Sequence, residues 1–108
     1  MQILPTEQFA RDLKRLGKKY PSIVADLRYL QTSLLEDPMQ GVLLGNNCFK
    51  IRLKIASKNR GKSGGARVIT CVLLVDEEIH LPTMYDKSDA ENVNDEFLNE
   101  LVEAIKQR

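Results

Sequence analysis

The chain has 108 residues, 43% of them hydrophobic, and no low-complexity tract, so one globular domain with one core is expected. No apolar run approaches the roughly 18 residues of a membrane span. The opening MQILPTEQF lacks the basic and apolar segments of a secretory signal, so a cytoplasmic protein with no membrane partner is expected. The net charge of +1 hides a division, because no Asp or Glu falls between residues 48 and 75 whereas residues 76–108 are mostly acidic.

Ile3 and Leu4 suggest a very short first strand. Thr6 is placed to cap a helix, and Glu7 suits its first turn. Phe9, Leu13 and Leu16 follow helical spacing, with Arg11, Lys14, Arg15 and Lys18 opposite. Gly17 and the Tyr20-Pro21 step end or bend this helix, since a residue before proline resists the α region. A second helix starts near Ser22, carries Ile23, Leu27, Leu30 and Leu34 as its core stripe, and stops at Asp37-Pro38. The pair reads as an αα-hairpin.

Residues 39–47 form a connector with Gly41 and Gly45, in which residues 42–44 supply a short extended piece. Residues 48–55 alternate strictly. Phe49, Ile51, Leu53 and Ile55 fall on one face of a strand, and Lys50, Arg52 and Lys54 on the other. Residues 57–65 are too rich in glycine for a regular element. Residues 66–75 are apolar on both faces, which predicts a central strand. Asp76-Glu77 turns the chain into a further strand over residues 78–85, where Pro82 implies an edge or a bulge. A polar loop over 86–93 leads to Asn94, the cap of a last helix with Phe97, Leu98, Leu101, Val102 and Ile105 as its stripe. The predicted fold is α+β, a single domain over residues 1–108, with an N-terminal αα-hairpin on one face of a small twisted antiparallel sheet and a C-terminal helix.

Cys48 and Cys71 are the only cysteines. Two in a domain of this size make no disulfide framework, so they are read as reduced thiols. With one histidine they offer no zinc pattern, and neither metal nor cofactor is expected. Lys50, Arg52 and Lys54, followed by Lys58, Arg60 and Lys62 in the loop and by Arg67, suit a polyanion such as a nucleic-acid backbone. An exposed strand face is often charged to discourage edge pairing, but three cations with no interleaved anion favour a functional face. Gly61-Lys62-Ser63 matches the end of a phosphate-binding loop. Ala56 stands where that motif needs glycine, and a strand follows where it needs a helix, so that reading is rejected. His80 stands alone in a strand and is read as structural. Ser57, Ser63 and Ser88 have no interpretable histidine and carboxylate partners. Tyr85 closes a strand, where a side chain either rests at the core edge with its hydroxyl in water or enters a site.

The segments Cys48-Phe49-Lys50-Ile51-Arg52-Leu53, Gly61-Lys62-Ser63-Gly64-Gly65-Ala66-Arg67-Val68-Ile69 and Tyr85-Asp86-Lys87 resemble the toxins of the RelE/ParE superfamily. The Gly-Lys-Ser-Gly-Gly-Ala-Arg segment is typical of its HigB-like and related branches. The likeness extends over the αα-hairpin, the Asp37-Pro38 stop and the Gly41 connector. It implies a small bacterial toxin encoded beside a protein antitoxin. Many members are ribosome-dependent endoribonucleases that cut mRNA in the A site, while one branch poisons DNA gyrase. By this resemblance Lys50, Arg52 and Arg67 match cationic active-site positions, and Tyr85 and Lys87 match the motif at the end of the last strand. Ser88 replaces an arginine of some ribonuclease members, and residues 92–97 contain no counterpart of their C-terminal tyrosine.

Metal-free RNA cleavage suits these residues. The 2′-OH is the nucleophile and the cations stabilise the extra negative charge. Arg67 would hold the scissile phosphate, Lys50 or Lys54 would act as base, and Lys87 would protonate the leaving 5′-oxygen. Tyr85 would stack on a base or orient the 2′-OH, and Lys58, Arg60 and Lys62 would contact RNA. The expected partners are the ribosome, mRNA and an antitoxin. Two other readings stay open at this point: a gyrase inhibitor, and a toxin-like module that binds RNA or an antitoxin without catalysis.

Overall fold

The computed structural model describes residues 1–57, 65–92 and 94–106, so Lys58, Arg60, Lys62 and most of the glycine-rich loop lie outside the described residues. The elements run β1 (Gln2–Pro5), α1 (Glu7–Lys19), α2 (Ile23–Glu36), β2 (Val42–Gly45), β3 (Cys48–Leu53), β4 (Ala66–Leu73), β5 (Glu78–Asp86), a 3-10 helix (Lys87–Asn92) and α3 (Asp95–Lys106). Thr6 caps α1 by accepting the Phe9 N–H at 3.1 Å. The helix passes through Gly17 and ends at Tyr20. Asn94 caps α3 in the same way, accepting the Phe97 N–H at 2.9 Å.

One five-stranded sheet has the order β1-β5-β4-β3-β2. The doubly apolar β4 is central, antiparallel to β3 and to β5. The expected purely antiparallel sheet needs one correction. β1 lies parallel to β5, pairing Ile3 with Ile79, so the sheet is mixed. That pairing joins segments more than 70 residues apart, and no local pattern encodes it. β1 covers β5 only as far as Leu81, so Pro82 lies just past it on an open flank. Between the Ile69–Thr83 and Cys71–His80 pairs, one residue of β4 faces Leu81 and Pro82, and this bulge admits the proline.

The two faces are covered differently. Phe49, Ile51, Leu53, Val68, Ile79 and Met84 pack against α1 and α2 through Phe9, Leu16, Ile23, Leu27 and Leu34. On the opposite face, Ile105 and Val102 of α3 cover Cys48, Cys71 and Leu73. α1 is also fastened to the flank of β5. Past Pro5, β5 has no β1 partner, and the buried carboxylate of Asp12 takes over that flank. It accepts the Thr83 hydroxyl at 2.6 Å and the Met84 N–H at 3.2 Å.

The cysteines correct a second expectation. Cys48 and Cys71 are joined by a disulfide across directly paired positions of β3 and β4, with Cα atoms 4.1 Å apart. The Val72 N–H donates to the Asn47 carbonyl at 2.9 Å just outside this pair. That pattern marks a non-hydrogen-bonded pair, the antiparallel position at which side chains approach most closely. The sequence separation of 23 conceals this register. Closing a loop of that length is worth about 3 kcal/mol through the unfolded chain. Urea melts with and without a dithiol reductant should therefore differ by about that amount, and the double variant Cys48→Ser/Cys71→Ser should match the reduced protein and ignore reductant.

Candidate functional site

The register of the three inner strands composes the site. Arg52 of β3 lies directly opposite Arg67 of β4, and Arg67 lies directly opposite Tyr85 of β5. Paired residues share a face, so these three form one row across the sheet, with about 4.8 Å between strands. Lys50, two residues along β3 and paired with Ile69, stands on the same face. Their neighbours in sequence, Ile51, Val68 and Met84, point into the core beneath α1 and α2 and hold the row in place.

Arg52 is exposed, and Lys50 and Arg67 are half-buried. The Arg67 Nη1 donates to the Ala66 carbonyl at 3.2 Å. Tyr85 does not leave the core: its side chain is buried, at 8% exposure, and forms the inner end of the row. Burial pushes its phenol above the ordinary value and the Arg67 charge opposes this, so the hydroxyl remains a proton donor at neutral pH.

The remaining predicted residues lie at the same end of the sheet. Lys54 follows β3, is exposed, and lines a cavity together with Arg52 and residues of α2. Lys87 opens the 3-10 helix just past the Ala66–Asp86 pair, is exposed, and donates its backbone N–H to the Gly65 carbonyl at 3.1 Å. Gly65 has φ +90°, and a Cβ there would overlap the Leu53 carbonyl. Glycine is thus required where the ends of β3, β4 and the 3-10 helix meet. His80 is buried with its Nε2 2.9 Å from Glu78 Oε1, consistent with a structural role.

Sequence reasoning missed the residue between Tyr85 and Lys87. Asp86 is buried, at 2% exposure. It accepts the Tyr20 hydroxyl, the Lys19 ammonium at 3.3 Å, and the backbone N–H and hydroxyl of Ser88 at 3.0 and 3.1 Å. Burial alone would raise this carboxyl, but the Tyr20, Ser88 and Lys19 donors outweigh it and hold it well below the usual carboxylate range. Ser88 thus serves the carboxylate that ties β5 to the end of α1. The available signal was a polar tyrosine at a helix end, Tyr20, which alone does not name its partner.

A mixed five-stranded sheet with a helical hairpin on one face and a terminal helix on the other defines an α+β fold of the RelE type. An arginine-to-alanine double mutant of the E. coli toxin RelE in the free state superimposes with a TM-score of 0.63 at 22% identity, over 96% of this chain and 96% of that one. The intact E. coli RelBE toxin–antitoxin complex matches with a TM-score of 0.60 at 18% identity, over 78% of this chain and 93% of that one. At these identities the likeness establishes a common fold. No protein-family profile matches the chain.

Asp86 provides a test by pH. Its carboxyl is depressed in the folded state, so its contribution is present above the unfolded carboxyl value of about 3.9 and is lost as pH falls through the folded value. Asp86→Asn should cost about 1–3 kcal/mol near neutrality. In urea melts the variant should approach the wild type as pH drops below about 4, whereas parallel curves would show that the carboxylate adds no stability.

Proposed function

We propose that this protein is the toxin of a toxin–antitoxin module and a metal-independent endoribonuclease that cleaves translated mRNA on the ribosome. The Arg52–Arg67–Tyr85 row carries this reading: two guanidiniums and a protonated phenol on adjacent strands of a RelE-type fold. The chemistry is in-line attack of a 2′-OH on the adjacent phosphorus, with departure of the 5′-oxygen. Arg67, half-buried and central, holds the scissile phosphate. Arg52 offsets the added charge of the transition state. Lys50 or Lys54 takes the 2′ proton, and Lys87, at the Tyr85 end of the row, supplies one to the leaving oxygen. The buried Tyr85 donates its hydroxyl to a substrate oxygen and is too enclosed to serve as an open stacking platform.

The row lacks a histidine or carboxylate general acid–base pair, so alignment must supply much of the rate. That favours a message already held by the ribosome. The ribosome places the work in the cytoplasm, whose thiol pool keeps cysteines reduced, so the form with the Cys48–Cys71 bond opened is the working one there. An antitoxin opposes the cationic row with an acidic segment and buries apolar surface on the helical hairpin, where Val24 and Leu35 are exposed. The cations of the glycine-rich loop, Lys58, Arg60 and Lys62, extend the RNA contact.

In vitro translation with primer extension on the message tests this reading. Cuts within codons should appear only when ribosomes are present. Arg67→Ala should abolish them, with a loss of at least about 100-fold, while urea melts stay close to wild type because Arg67 lies outside the core. Ribosome-independent cutting, or inhibition of gyrase without cutting, would overturn it. A second expectation concerns salt. Ribosome affinity should fall by about tenfold or more between roughly 50 and 200 mM salt, and charge reversal at Lys58, Arg60 and Lys62 should flatten that dependence. An affinity indifferent to both would remove the loop from the RNA contact.

A further inference from the structure

Tyr29 is 83% exposed on α2. A solitary exposed tyrosine needs no explanation, but this one shares a cavity with Arg52 of the row and with Lys54. The cavity, about 370 Å³, has Tyr29, Leu30 and Asp26 of α2 on one wall and Arg52, Leu53 and Lys54 on the other. Its origin is visible in the sheet. β2 pairs with β3 no farther along than Lys50, so the rest of β3 has no strand on that side. α2 stands across the gap and is clamped to the chain after β3. Ala56 N–H donates to Asp26 Oδ2 at 3.2 Å, Ser57 N–H to Ser22 Oγ at 2.9 Å, and Ser22 N–H to Ser57 Oγ at 3.3 Å. These bonds fix the two walls before any ligand arrives.

The chemistry divides along the cavity. Arg52 and Lys54 favour a phosphate. Asp26 repels one and accepts hydrogen bonds instead. Tyr29 presents an aromatic surface beside the apolar Leu30 and Leu53. We infer that this cavity is a nucleobase pocket, which takes one unstacked base of single-stranded RNA next to the phosphate held by Arg52 and Arg67, with Tyr29 as the stacking surface. Unstacked bases are recognised in this manner, by aromatic stacking and by hydrogen bonds to their edges. The Asp26 carboxylate favours a base with an exocyclic amino group. The inference rests on the RNA reading above and adds a specificity-determining residue to it.

Equilibrium binding of two non-cleavable 2′-O-methyl RNA oligonucleotides at low salt tests it, one carrying all its bases and one abasic at every position. Tyr29→Ala should weaken binding of the base-bearing strand by about 5- to 100-fold and leave the abasic strand unaffected. Tyr29→Phe should retain wild-type affinity. Arg52→Ala should weaken both strands, since it faces phosphate. If Arg52→Ala weakens both while Tyr29→Ala weakens neither, or weakens both equally, the RNA reading stands and the pocket is overturned. If the wild type binds neither strand, both fall.

Discussion

The register of β4 between β3 and β5 is the constraint on which the rest depends. A strand presents alternate residues to opposite faces, so a slip of one residue would exchange them all. In the observed register, Val68 is paired with Ile51 and with Met84 inside the helical core, and Arg67 is paired with Arg52 and with Tyr85 outside it. Hydrophobic burial on one face therefore aligns the charged row on the other. The row needs no loop to assemble it, and side chains on strands are held more closely than side chains on loops. The bulge at Leu81 and Pro82 shifts the parity of β5, so that Ile79, Leu81 and Met84 all reach the core while Tyr85 still meets Arg67.

Two buried carboxylates join this sheet to α1. Asp12 satisfies the flank of β5 that β1 leaves open, and Asp86 binds the far end of that strand to Tyr20 and Lys19. A buried charge is costly unless its oxygens are hydrogen-bonded. Asp86 has donors from a hydroxyl, an ammonium and both groups of Ser88, enough to reverse the direction in which burial would move its carboxyl. Both contacts are directional, whereas apolar packing of a helix on a sheet is not. They set where α1 lies along β5, and Asp86 does so at the residue between Tyr85 and Lys87. The same bonds that orient the helix also hold the end of the candidate site.

Periodicity was enough to read most of this. The strict alternation from Lys50 to Lys54 assigned both faces of β3, the double-sided run placed β4 at the centre, and Thr6, Asn94 and Asp37-Pro38 marked helix ends. What it missed is non-local. The parallel pairing of β1 with β5 has no signature in a four-residue strand. The disulfide depends on the register of β3 against β4, which two isolated cysteines do not reveal. Asp12 lies on a helix among Arg11, Lys14 and Arg15 and reads there as one more surface charge, yet it is buried. Tyr85 was placed correctly at a strand end, but its enclosure depends on what packs around it. Tyr29 carried no signal in the sequence, because a tyrosine outside the apolar stripe of a helix becomes notable only when the opposite wall of its groove is known.

The row is also not what stability alone would select. Arg52 and Arg67 occupy directly opposed positions of paired strands, where like charges are unfavourable by about 0.2–1 kcal/mol. Among the described residues, no ion pair engages Lys50, Arg52 or Arg67, although acidic residues are plentiful elsewhere in the chain. The carboxylates that could relieve the repulsion are directed to other tasks: Asp86 to Lys19 and Tyr20, and Asp12 to the flank of β5. The fold can bear the residual repulsion because Ile51 and Val68 are paired in the core one position away. An anion placed across the row would be attracted by both guanidiniums at once, which offsets the repulsion between them. In the reaction proposed above, that attraction would be largest where the negative charge is greatest, at a phosphate passing through its transition state.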